Sequence, residues 1–288
     1  MKEQAEDWDI IVTPKANVFK LNLFEIWRYR DLIRLLVKRD VVSQYKQTIL
    51  GPIWLVIQPL ISALFFTVIF GNFAKFSSGD IPYPIFVFSG LTIWYFFSTT
   101  YSKTGTIFLS NAAIFGKVYF PRLIVPIGTL ISNSVSFLIQ FGVFIVLMLY
   151  FVIFHGFDLR INYALLPLFP FLALLFGLMG MSVGLFTSSL TNKYRDLAFL
   201  IGFVIQFLMY FSAVVFPLSR FGEMDSAVGF ILNLNPLLHM VNLFRTIFLS
   251  TPMPEIGWLI YSVAFAGISL ILSIAAFNNV ERSFMDTV

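Results

Sequence analysis

The stretch LIVPIGTLISNSVSFLIQFGVFIVLMLYFVIFHGF, residues 123–157, runs for thirty-five positions without an Asp, Glu, Lys or Arg. A helix needs roughly 20 mostly apolar residues to cross the ~30 Å hydrocarbon layer of a bilayer. Only a helix or a closed barrel satisfies every backbone N–H and C=O at that depth. Barrel strands would be ~10 residues long with alternating polarity, and this run does not alternate. Five further charge-free runs follow the same logic: Gln47–Ala74, Ile81–Ser102, Ile161–Asn192, Leu197–Ser219 and Ile256–Val280. The sequence therefore predicts an all-α polytopic membrane protein. Its six transmembrane helices fall at about 53–73, 82–101, 127–154, 164–188, 197–216 and 257–277.

Composition supports this. The chain is 58% hydrophobic with a mean hydropathy of +0.86 and 12% charged residues, against ~25% charged in a soluble domain. No stretch is left over for a soluble catalytic domain, so the expected organisation is a cytoplasmic segment over 1–50 and a membrane domain over 51–288. With no cysteine, disulfides, thiolate metal sites and a cysteine nucleophile are excluded. Met1–Asp9 is acidic and polar, unlike a cleaved signal. The net charge of +4 matters through its placement, not as an affinity for nucleic acid. With the N-terminus inside, fifteen Lys and Arg fall on the inner side and four on the outer, namely Lys75, Arg160, Arg220 and Arg245. Basic loops stay cytoplasmic, so both termini are expected there.

Asn22 and Glu25 fit a capping box. Beyond it Glu25, Arg28, Asp31, Arg34 and Lys38 recur every three or four positions, and Ile26, Tyr29, Ile33, Val37 and Val41 form the complementary face. Such a helix is too charged to span; it suits the cytoplasmic interface, and the same pattern also suits packing on a partner. A seventh charge-free stretch, Ser226–Phe244, is interrupted by Asn233, Asn235, Pro236, His239 and Asn242. Irregular backbone at membrane depth is tolerated where protein or water covers it. Two short helices dipping in from the outer face fit better than a seventh span, which would put the C-terminus outside. Asn235, Pro236 and His239 then form an outer gate. Gly177, Gly180 and Gly184 suit close helix packing.

Sites for chemistry are sparse. The predicted spans hold no ionisable residue of the kind that marks ion or proton pathways. His155 and His239 lack ligand-like spacing to other His, Asp or Glu. No G-x-S-x-G elbow and no G-x-x-x-x-G-K-[ST] phosphate loop is present, so if ATP drives this protein, another polypeptide must bind it. The 36 Phe, 11 Tyr and 5 Trp suit lipid contact, core packing and interfacial belts. Aromatic faces also suit a path for a sugar polymer, and Trp94, Tyr95, Phe97, Tyr101 and Tyr210 are the candidates.

An ordered set of short motifs covers nearly the whole chain. Arg30-Asp31-Leu32, Val42-Ser43-Gln44-Tyr45-Lys46-Gln47-Thr48, Leu50-Gly51-Pro52-Ile53-Trp54 and Gln58-Pro59-Leu60 open it. Phe120-Pro121-Arg122, Tyr194-Arg195-Asp196-Leu197, Phe216-Pro217-Leu218-Ser219, Asn235-Pro236-Leu237 and Phe244-Arg245 follow. Together they resemble ABC-2-type permeases that export polysaccharides: O-antigen, capsule and teichoic-acid exporters. The resemblance implies the six-span type V exporter architecture with an N-terminal interface helix and short re-entrant outer helices between spans five and six. It implies a homodimer with the pore between subunits, two copies of a separate ATPase subunit that binds ATP and Mg, and a lipid-linked polysaccharide substrate. The location implied is the inner membrane. On this reading residues 104–122 carry a coupling helix, with Asn111, Phe115, Lys117, Tyr119 and Arg122 as contacts to the ATPase. Tyr194, Arg195 and Asp196 face the same side, as coupling contacts or as a topological anchor. Arg28, Arg30 and Arg34 would meet the lipid diphosphate at the entry. A drug or small-lipid exporter would share the topology, whereas a membrane enzyme would need a polar cluster that is not visible.

Overall fold

The computed structural model describes residues 23–46, 51–76, 78–115, 120–194, 196–217 and 227–284. Every regular element among them is helical. In chain order these are α1 (Leu23–Arg28), α2 (Arg30–Tyr45), α3 (Trp54–Phe66), α4 (Tyr83–Gly105), α5 (Ile107–Phe115) and α6 (Ile124–His155). They continue as α7 (Phe169–Thr191), α8 (Leu197–Phe211), α9 (Ala227–Asn233), α10 (Pro236–Leu249) and α11 (Ile256–Phe284). A 3₁₀ turn, Gly51–Ile53, leads into α3, which runs on as a π-helical turn over Thr67–Phe73.

Among the described residues, four helical stretches are long and apolar enough to cross a membrane: Gly51–Phe73, Ile124–His155, Leu166–Thr191 and Ile256–Val280. The other two expected spans differ for identifiable reasons. Helix α4 has 23 residues but carries Ser89, Thr92, Ser98, Thr100 and Thr104, all buried in protein. The hydroxyls of Ser89, Thr92, Ser98 and Thr104 donate to α4's own carbonyls, as in Thr92 Oγ1 to Phe88 O at 2.8 Å and Thr104 Oγ1 to Thr100 O at 2.6 Å, while Thr100 Oγ1 accepts from Asn133 Nδ2 at 3.2 Å. Enclosed by α3, α6, α7 and α10, this helix need not be lipid-compatible. Helix α8 is apolar but stops at Phe211 after 15 residues, whereas the sequence predicts continuation to residue 216. Ala213, with φ of +51°, breaks it. The last helix departs the other way: α11 passes through Asn278 and Asn279 and runs to Phe284.

Packing of α4 on α7 explains the glycines. A Cβ on Gly180 would sit 2.7 Å from the Phe97 carbonyl, and one on Gly184 would run into Thr104 and lie 3.0 Å from the Tyr101 carbonyl. Backbone meets backbone there, which small residues permit. The amphipathic segment is two helices, α1 and α2, broken at Tyr29 (φ −92°, ψ 20°). Its apolar face packs on α6, where Leu36 lies 3.6 Å from where a Cβ of Gly128 would be. Asn22, half of the expected capping box, lies outside the described residues.

Gly180→Ala and Gly184→Ala should each destabilise the purified protein by about 1–3 kcal/mol, the usual cost of overpacking, seen as a lower melting temperature. Gly142→Ala adds a Cβ that meets nothing within 4 Å and should leave the melting temperature in place. Equal shifts in all three would remove the close-approach explanation.

Candidate functional site

Between α8 and α11 the described residues include two backbone breaks that side chains from neighbouring helices repair. At the first, α9 ends at Asn233 and α10 begins at Pro236, a proline that is buried. Asn235 caps α10, its Oδ1 accepting from the Leu237 N–H at 3.1 Å, and its Nδ2 donates to Ser212 Oγ at 3.0 Å. The carbonyls freed here each gain a donor, Asn233 O from His239 Nε2 at 2.8 Å and Leu234 O from Tyr261 Oη at 2.9 Å, and Pro236 O in the first turn of α10 also accepts from Ser262 Oγ at 3.1 Å. The structure thus brings Asn235, Pro236 and His239 together as one knot. His239 also stacks on Trp258, with centroids 5.3 Å apart and planes 8° apart.

The second break follows α8 and is held by Arg245 of α10, which is 1% exposed. Its Nη1 donates to Ala213 O at 2.7 Å, its Nη2 to Val214 O at 2.6 Å and Phe86 O at 3.2 Å, and its Nε to Ser89 Oγ at 3.3 Å. The guanidinium lies 3.7 Å from the centre of the Phe86 ring, close enough for cation–π attraction. Tyr83 Oη takes the next carbonyl, Val215 O, at 2.9 Å. A Cβ on Gly90 would lie 2.5 Å from Val214 O and 2.7 Å from Arg245 Nη2, so only glycine admits this approach. Arg245 is therefore a buried staple joining α4, α10 and the end of α8, where the sequence counts it only among the outer-side basic residues. Loops leave arginine exposed; here the carbonyl acceptors offset its desolvation. A lone arginine inside Phe244–Leu249, on the buried face of a helix, was the signal available.

The candidate aromatics divide. Trp94, Phe97 and Tyr101 are 2%, 1% and 3% exposed and pack ring to ring along α4, at 5.3 Å and 6.0 Å. Sealed within this chain, they present no face to a polymer in this conformation. Tyr95 points the other way, half-buried, and donates to Ser62 Oγ at 3.0 Å. Tyr210 is also half-buried and stacks on Phe216, with planes 9° apart.

Arg28, Arg30 and Arg34 are exposed on α1 and α2, and Arg34 pairs with Asp31 at 3.0 Å. On the loop after α4, Asn111 kinks α5 (φ −118°, ψ 15°), its amide donating to Ile107 O at 3.1 Å. Phe115 and Arg122 are buried, the guanidinium 5.4 Å from the Phe115 ring centre, so they anchor the loop from within. Lys117, Tyr119 and Arg195 lie outside the described residues. Tyr194 is exposed, with the Lys193 ammonium 5.3 Å from its ring centre, and Asp196 caps α8 by accepting from the Leu197 N–H at 3.1 Å. No three His, Asp or Glu side chains converge as metal ligands among the described residues.

These features define a multi-pass helical membrane protein whose buried polar groups serve its own backbone. Residues 31–249 match the ABC-2 type transporter family, and the chain belongs to that family. It is thereby a transporter component rather than an enzyme. It is 24% identical over 273 residues to an O-antigen export system permease protein RfbA of Myxococcus xanthus, covering 92% of this chain and 98% of the relative. An RfbA permease of Klebsiella pneumoniae is 25% identical over 260 residues, covering 89% and 94%. The polysialic acid transport protein KpsM of Escherichia coli is 25% identical over 261 residues, covering 88% and 95%.

Arg245→Met should destabilise the purified protein by about 3–5 kcal/mol, because it strands buried carbonyls. Arg245→Lys should recover little, since an ammonium lacks the planar fork that reaches several acceptors. Gly90→Ala should mimic the loss. A melting temperature indifferent to all three would refute the staple.

Proposed function

We propose that the chain is the permease subunit of an ATP-driven transporter that exports a lipid-linked polysaccharide across the inner membrane. The observation that carries this reading is the family match over residues 31–249 together with relatives named for O-antigen export and polysialic acid transport. Those names favour polysaccharide over a drug or small lipid. Two copies pair, and two copies of a separate ATPase subunit bind ATP and Mg. Six spans are formed by α3 with its π-helical turn, α4, α6, α7, α8 and α11, and α9 and α10 re-enter from the outer face. Removing Arg245 from the exposed charges leaves fifteen basic residues inside against three outside, which supports cytoplasmic termini.

In this scheme Arg28, Arg30 and Arg34 on the exposed face of α1 and α2 meet the lipid diphosphate. Tyr95 and Tyr210 stay available to a passing glycan, and the knot at Asn235, Pro236 and His239 closes the outer end. Asn111, Tyr194 and Asp196, with Lys117, Tyr119 and Arg195, meet the ATPase. Phe115 and Arg122 hold that surface in shape.

Deletion of the gene should abolish one surface polysaccharide and leave its lipid-linked precursor inside the cell. Surface polysaccharide unchanged by deletion would overturn the reading. Tyr95→Ala and Tyr210→Ala should lower export at normal protein levels. Asn111→Ala or Tyr194→Ala should weaken co-purification with the ATPase. Unaltered export and association in these variants would remove the assigned roles.

A further inference from the structure

A cleft of about 460 Å³ opens beside the outer knot, between α10, the Thr251–Glu255 loop and the first turn of α11. Its walls include Asn233, His239, Asn242, Glu255 and Trp258, with Arg245 behind them. The volume falls within the ~300–1,000 Å³ of small-molecule sites. The side chains of Asn233, Asn242, Glu255 and Trp258 make no hydrogen bond to other described residues, although each lines the cleft. The two carboxamides both donate and accept, the indole N–H donates, and the carboxylate accepts. Trp258 is held in place by its stack on His239 and an edge contact with Tyr261 at 5.9 Å.

We propose that this cleft is a binding site for a neutral, hydroxyl-rich sugar ring. Adjacent hydroxyls on a sugar both give and take hydrogen bonds, matching paired carboxamides, and the ring's apolar C–H edge suits an aromatic wall. Charge selects against acidic sugars. Among the described residues Glu255 is the one carboxylate on the wall, and Arg245, the one Lys or Arg there, directs its hydrogen bonds to Ala213, Val214, Phe86 and Ser89. The inference rests on the export reading for the source of the sugar and not for the chemistry of the cleft.

The test uses the full chain in phosphatidylcholine nanodiscs, which carry no sugar, with saturation-transfer NMR against methyl glycosides of mannose, galactose, glucose and rhamnose, and against glucuronate. At least one neutral glycoside should show transfer and glucuronate none. Asn242→Ala should weaken binding by about fivefold, the loss of one neutral hydrogen bond. Trp258→Phe, which keeps an aromatic ring and removes the N–H, should weaken it similarly at unchanged melting temperature. Transfer no greater than in empty nanodiscs, equal transfer in both variants, or a preference for glucuronate overturns the site. Gene deletion separates the two ideas. Lost surface polysaccharide with a silent cleft overturns only the cleft, whereas retained polysaccharide overturns the export reading whatever the cleft binds.

Discussion

Away from water, a backbone N–H or C=O without a partner costs free energy on the scale of the whole fold's stability. Regular helices meet that demand internally, so each place where a helix breaks must import partners. Among the described residues, the breaks after α8 and between α9 and α10 do so, and the imported partners tie the helices together there. Arg245 and Tyr83 take the carbonyls of residues 213–215, and His239, Tyr261 and Ser262 take those of 233, 234 and 236. The Asn235 amide links the two breaks through Ser212. Helices α4, α8, α10 and α11 are thus bound through irregular backbone and not only through apolar contact.

The arrangement places α4 at the centre. Its hydroxyl-bearing residues, its glycine-accommodating contact with α7 and its Gly90 gap all follow from being enclosed by protein. Exposed apolar side chains lie instead on α3, α6, α8 and α11, among them Leu64, Leu138, Phe203 and Ile268. Arg245 fastens α10, the end of α8 and part of α4 into one hydrogen-bonded unit.

Much of this was legible in the sequence where one physical signal dominated. Long charge-free runs reported α3, α6, α7 and α11, and the Asn-Pro interruption reported the division between α9 and α10. The amphipathic pattern of α2 also reported its buried face, with Leu36 added. Legibility failed where a residue's environment depends on distant partners. Arg245 counts as one more outer-side basic residue until the carbonyls of residues 86, 213 and 214 are seen around it. Trp94, Phe97 and Tyr101 read as candidate path residues until the fold buries them. The early end of α8 could not be read either, because Leu197–Ser219 remains apolar past the residue where the backbone turns.

That early end has a consequence for the lipid. A helix of 15 residues rises about 22 Å, well short of a ~30 Å hydrocarbon core. In the proposed topology the bilayer beside α8 must pinch inward, or the helix must find a neighbour of equal height. A thinned patch of membrane bordering the irregular 212–216 turn shortens the apolar distance between the two leaflets' headgroups. The protein's working state is then coupled to acyl-chain length, and membranes of different thickness would not be equivalent hosts for it.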